Sequence, residues 1–182
     1  EFGWKIFNTQ NIKGLVTKLY NSTSKDKIYL QTIEWGGGKH ADSTHIYQYT
    51  DNNYKKLYSN VLTRGKQANL SLINGRVYFI LGNTIAVREN GGFKTVIEVN
   101  NPNFYQRIWG RNSKDIFLYM TDGLVHYDGN NMEYLFKFTH PDKHPATHIF
   151  GAAIFKEEVF FMVYEPPTNL NLVYHGVLKE GE

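Results

Sequence analysis

Apolar residues along this chain come in short runs broken by Gly, Asn and Asp, and the clearest stretch is Ile108 to Gly129, IWGRNSKDIFLYMTDGLVHYDG. It contains an apolar segment closed by Gly110, a polar turn, then Asp115-Ile116-Phe117-Leu118-Tyr119. A second turn at Thr121-Asp122-Gly123 leads to Leu124-Val125-His126-Tyr127, closed by Asp128-Gly129. Runs this short, rich in aromatic and β-branched residues and bounded by turn formers, read as strands, so the stretch predicts a three-stranded meander.

The same pattern recurs. Counterparts of Ile116-Phe117-Leu118 stand at Ile28-Tyr29-Leu30, Val77-Tyr78-Phe79 and Val159-Phe160-Phe161, at intervals of 49, 39 and 43 residues. The preceding strand, anchored at Ile108, recurs at Leu15, Leu70 and Ile149; the following one, anchored at Leu124, recurs at Ile46, Ile85 and Leu172. In three units a fourth strand follows by an equal step, at Tyr54, Phe93 and Met132, across turns carrying the Asp, Asn and Gly that tight hairpins require. Periodic self-similarity of this length marks a repeat fold. The expectation is therefore an all-β propeller, one domain over residues 1–182, with four-stranded antiparallel blades at about 12–60, 66–100, 104–138 and 146–178. The last unit lacks a fourth strand of its own. Gly3-Trp4-Lys5-Ile6-Phe7 matches Gly92-Phe93-Lys94-Thr95-Val96 in glycine, aromatic and lysine, so residues 3–8 are expected to complete the last blade and remove its open edge.

Trp109-Gly110, Asp115-Ile116-Phe117 and Gly123-Leu124-Val125-His126-Tyr127-Asp128-Gly129 resemble the bacterial β-propeller repeat of the type WG…DV[FY]…G…[IL]xHYDG. The resemblance covers the third unit closely and the others through spacing. It implies an extracellular or cell-envelope propeller and a fold rather than an activity. Propellers with this repeat commonly have more than four blades, so the resemblance leaves two alternatives, an excised piece or a dimer of half-rings, and the expected state is a monomer or a dimer of half-rings.

Composition supports strands: 13 Tyr, 12 Phe and 16 Gly among 182 residues. The chain has no cysteine, which excludes disulfides and thiolate metal sites. A net charge of +3 without a long Lys/Arg run argues against nucleic acid, and no apolar run is long enough for a spanning helix, so no membrane insertion is expected.

Candidate chemistry sits in loops. The step from second to third strand is 8 residues in units two and three, but 18 in unit one and 13 in unit four. The first insertion is Trp35-Gly36-Gly37-Gly38-Lys39-His40-Ala41-Asp42-Ser43-Thr44-His45, the other Glu165-Pro166-Pro167-Thr168-Asn169. In a closed ring both share one face with the connector from Thr139 to Thr147, which His148 follows. That places Trp35, Lys39, His40, Asp42, His144 and Glu165 in one lopsided notch, a platform with donors and acceptors suited to a protein or carbohydrate ligand. Three further readings follow. A metal would use His140, Asp142 and His144 with His40 or Asp42, but histidines beside loop prolines are ordinarily solvated, so no metal is expected. A hydrolase would draw its acid and base from Glu34, Asp42, Asp142 and Glu165. Gly36 to Lys39 lacks the following Ser or Thr and helix of a phosphate-binding loop, so no cofactor is expected. With no catalytic motif in view, a non-catalytic binding or scaffold module is the leading reading and the hydrolase its alternative. His126 and His175, at similar places on third strands, are read as blade-packing residues.

Overall fold

The computed structural model describes residues 11–22, 27–38, 40–50, 53–62, 67–138, 147–166 and 168–178. Its described residues form four antiparallel sheets and no helix. Blade one comprises β1 (Leu15–Asn21), β2 (Ile28–Glu34), β3 (Ser43–Thr50) and β4 (Asn53–Val61). Blade two comprises β5 (Ala68–Ile73), β6 (Arg76–Leu81), β7 (Thr84–Glu89) and β8 (Gly92–Glu98). Blade three comprises β9 (Phe104–Asn112), β10 (Asp115–Met120), β11 (Gly123–Tyr127) and β12 (Met132–Lys137), and blade four β13 (His148–Ile154), β14 (Glu158–Glu165) and β15 (Leu170–Val177). Strands pair in sequence order within each sheet. The first strands touch from blade to blade, β1 to β5, β5 to β9 and β9 to β13. This is the four-bladed β-propeller that the spacing predicts. The expected closure of blade four by residues 3–8 lies outside the described residues.

Turn chemistry sets the hairpins. Asn74-Gly75 and Asn90-Gly91 both have positive φ, at 48° and 70° and at 49° and 78°, the two-residue geometry that matches strand twist. Asp128 Oδ1 accepts the N–H groups of Asn130 and Asn131 at 2.7 Å, holding the β11–β12 turn.

Alternation along the second strands supplies two packing faces. Ile116, Leu118 and Met120 of β10 pack toward blade two in a core with Tyr78, Ile80, Ile85 and Val87. Phe117 and Tyr119 pack toward blade four with Val159, Phe161 and Val163. Between blades one and two, Tyr29 and Ile46 meet Leu70, Val77 and Phe79, with the Tyr29 and Phe79 rings edge to face at 4.9 Å. Among the described residues no comparable core joins blade four to blade one. On the far face of β14, Met162 is 53% exposed and its neighbour on β15, Val173, is 68% exposed.

Two inner strands depart in register from the even spacing read in the sequence. Leu70 and Ile108 lie opposite Phe79 and Leu118 as expected, but Leu19 rather than Leu15 faces Leu30, and Ala152 rather than Ile149 faces Phe161. Leu15 and Ile149 instead face Ile33 and Val163, and the hairpins after them close over longer turns, from Asn21 to Ile28 and from Ile154 to Val159, than the two-residue turns of blades two and three.

Adjacent residues of β14 thus predict opposite costs. Phe161→Ala, which empties a buried site, is expected to destabilise by about 3–5 kcal/mol, while Met162→Ala stays within about 0.5 kcal/mol. Urea midpoints of the two variants measure the difference.

Candidate functional site

The loop of blade one is held at its base. Asp42 Oδ1 accepts the Gly36 N–H at 2.7 Å, and a side chain at Gly36 would run into the His40 carbonyl, 1.6 Å from an added Cβ. Glu34 lies 3.3 Å from His45 Nε2 and 3.8 Å from His40 Nε2. His45 is a buried strand residue of β3 whose Nδ1 meets Ser59 Oγ at 2.9 Å, so it belongs to the sheet and not to the loop in which the sequence places it. His148 likewise begins β13. Above this base the Trp35 indole is 61% exposed.

The other members of the expected notch are placed differently. Glu165 is buried and accepts from Thr168 Oγ1 at 3.3 Å, within the β14–β15 hairpin rather than on display. Lys39, His140, Asp142 and His144 lie outside the described residues. Asp42 and Glu34 are engaged as described, and among the described residues no three His, Asp or Glu side chains gather as a metal would require.

A cavity that sequence reasoning did not anticipate lies where the four inner strands meet. It has a volume of about 520 Å³ and is lined by Lys18 and Tyr20 of β1, Ser71 and Leu72 of β5, Arg107 to Gly110 of β9, and Phe150, Ala152 and Ile154 of β13. Several lining groups also tie blades together. Lys18 Nζ donates to the Leu70 carbonyl at 2.8 Å, Ser71 Oγ to that of Ile108 at 2.8 Å, and Arg107 Nη1 to that of Ile149 at 3.3 Å. Burial, and then the charge of Arg107, push Lys18 down to about 8; the same two causes push His148 below its ordinary value. Trp109 stands edge to face on Phe161 at 5.9 Å, and Phe150 is 55% exposed. A charged residue within an inner strand, beside an apolar anchor such as Ile108, is the only trace of this cavity in the sequence.

The remaining residues of the third repeat have structural work. An added Cβ at Gly110 would stand 2.4 Å from the Asp115 carbonyl oxygen. Burial pushes Asp115 up, but hydrogen bonds from Arg111 and from His126 at 2.8 Å outweigh it and hold the carboxyl below its ordinary value. Arg111 also donates to the Lys156 carbonyl at 2.6 Å, tying blade three to the β13–β14 turn of blade four. His175 and Glu158 repeat the pair in blade four at 3.4 Å, and each histidine lies against a phenylalanine, His126 on Phe117 and His175 on Phe160. No family model, curated protein or solved structure matches this chain.

The Lys18 environment gives a pH signature. Folded and unfolded chains both hold its proton below about pH 8, and both have lost it well above 10.5. Between those values the unfolded chain binds more protons, so this residue makes stability rise with pH across the window. In Lys18→Met that contribution is absent. Urea midpoints from about pH 7.5 to about 10 should show the parent gaining stability relative to the variant as pH rises.

Proposed function

We propose that this protein is a non-catalytic binding module that uses a propeller face to recognise a protein or a glycan. The observation that carries the reading is the display of Trp35. Leaving a large indole 61% exposed forgoes burial worth about 2 kcal/mol or more, and the Asp42–Gly36 bond fixes the base of its loop, so little ordering remains for a ligand to impose. Aromatic side chains of this kind dominate recognition surfaces because they offer large contact area with few rotatable bonds.

Trp35→Ala is expected to leave the melting temperature within a few degrees of the parent and to abolish retention on a glycan array, or photo-cross-linking to a protein partner through a reactive group placed at the exposed position 40. Retention at parental strength by Trp35→Ala would place the recognition surface elsewhere.

A further inference from the structure

The central cavity has a chemistry of its own, separate from the loop around Trp35. Among the described residues its lining holds two cations and no carboxylate. Lys18 and Arg107 come from blades one and three, and among the described residues neither has an ion-pair partner. Some other cations of the chain have carboxylate partners, Arg111 in Asp115 and Arg76 and Lys94 in a shared Glu89. The hydrogen bonds from Lys18 and Arg107 to main-chain carbonyls orient the two heads without cancelling their charge. Each has further N–H groups, since an ammonium carries three and a guanidinium five. The apolar wall of Trp109 and Phe150 lowers the local dielectric, and this strengthens any charge pairing formed inside.

We propose that this cavity is an oxyanion-binding site, in which a carboxylate, phosphate or sulfate group lies between Lys18 and Arg107 and the body that carries it rests against Trp109. Planar two-point donation from a guanidinium together with a point-charge ammonium suits all three anions. A volume of about 520 Å³ admits a free inorganic anion or one acidic monosaccharide and is too small for a folded partner. Burial first, and then the charge of Arg107, lowers the proton affinity of Lys18, and an anion beside the two heads would relieve the second of these.

The test is a titration of the full chain, 15N-labelled, followed through the Trp109 indole N–H, which Trp109→Phe assigns. Sodium sulfate, sodium phosphate, sodium glucuronate and glucose are added at constant ionic strength, with chloride as the compensating ion. The expected result is a saturable shift of the Trp109 signal with at least one of the three oxyanions and none with glucose. The tightest of the three identifies the source, inorganic anion or acidic sugar. Lys18→Met and Arg107→Gln should each weaken binding about tenfold or more, while Lys156→Gln, on an exposed side chain, leaves it unchanged. Because either cavity variant also loses an inter-blade hydrogen bond, each is compared with the parent by circular dichroism, and Arg107→Lys, which keeps the charge, should retain part of the affinity. No saturable shift with any oxyanion, or undiminished binding in folded Lys18→Met and Arg107→Gln, overturns the proposal.

Discussion

A second strand in a middle blade of this fold has no solvent face. Its successive side chains point to opposite neighbours, so both sets must be apolar and both must fit. β6 and β10 satisfy this with Val77-Tyr78-Phe79-Ile80 and Ile116-Phe117-Leu118-Tyr119-Met120, every one of which is buried. Moving outward the demand relaxes, and β8 and β12 keep only scattered buried or half-buried positions. The fold depends on this two-sided burial more than on any single bond. Where it fails, at Met162 and Val173, the far face of blade four is left apolar and exposed.

Hydrogen bonds between inner strands follow the same order. Lys18, Asn69 and Arg107 each stand one residue before the anchor that faces the second strand, Leu19, Leu70 and Ile108 respectively. Each reaches a main-chain carbonyl of the next blade, that of Leu70, Gln106 and Ile149. The corresponding position in blade four, before Ala152, is Gly151, which has no side chain to extend and open space where one would be. The series of clasps therefore stops at the blade whose far face has no packed partner among the described residues. Buried carbonyls at the centre of the ring need donors, and this position supplies them from one blade to the next.

How much of this could be read from the residues follows from what leaves a periodic trace. Second strands and hairpin turns do: two-sided burial produces unbroken apolar runs such as Val77 to Leu81, and Asn-Gly at 90–91 is required by its backbone geometry. The exposure of Trp35 was legible because three glycines beside it offer nothing to bury it. The registers of β1 and β13 were not, since Leu15 and Leu19, or Ile149 and Ala152, are all apolar and composition does not say which faces the second strand. Nor was the placement of His45 and Glu165: an insertion's length says how much chain is added, while the sheet recruits as much of it as hydrogen bonding allows. The cavity left still less trace, because Lys18 and Arg107 are far apart in sequence and meet only through the ring.

The charge of that cavity bears on which of its roles came at a cost. A neutral donor makes an inter-blade clasp just as well, as Asn69 does in blade two, so the clasping role alone does not call for ammonium and guanidinium groups. Burying one near the other disfavours the charged form, as the lowered Lys18 value reflects. Elsewhere the chain avoids this by pairing, with Asp115 serving Arg111 and His126 together. Unpaired charge persists where the scaffold around it is overdetermined, and three packed seams supply that surplus. Stability alone would favour asparagine or glutamine at positions 18 and 107. The cations are the costlier solution to the clasping problem, and what distinguishes them from the cheaper one is their capacity to hold an anion.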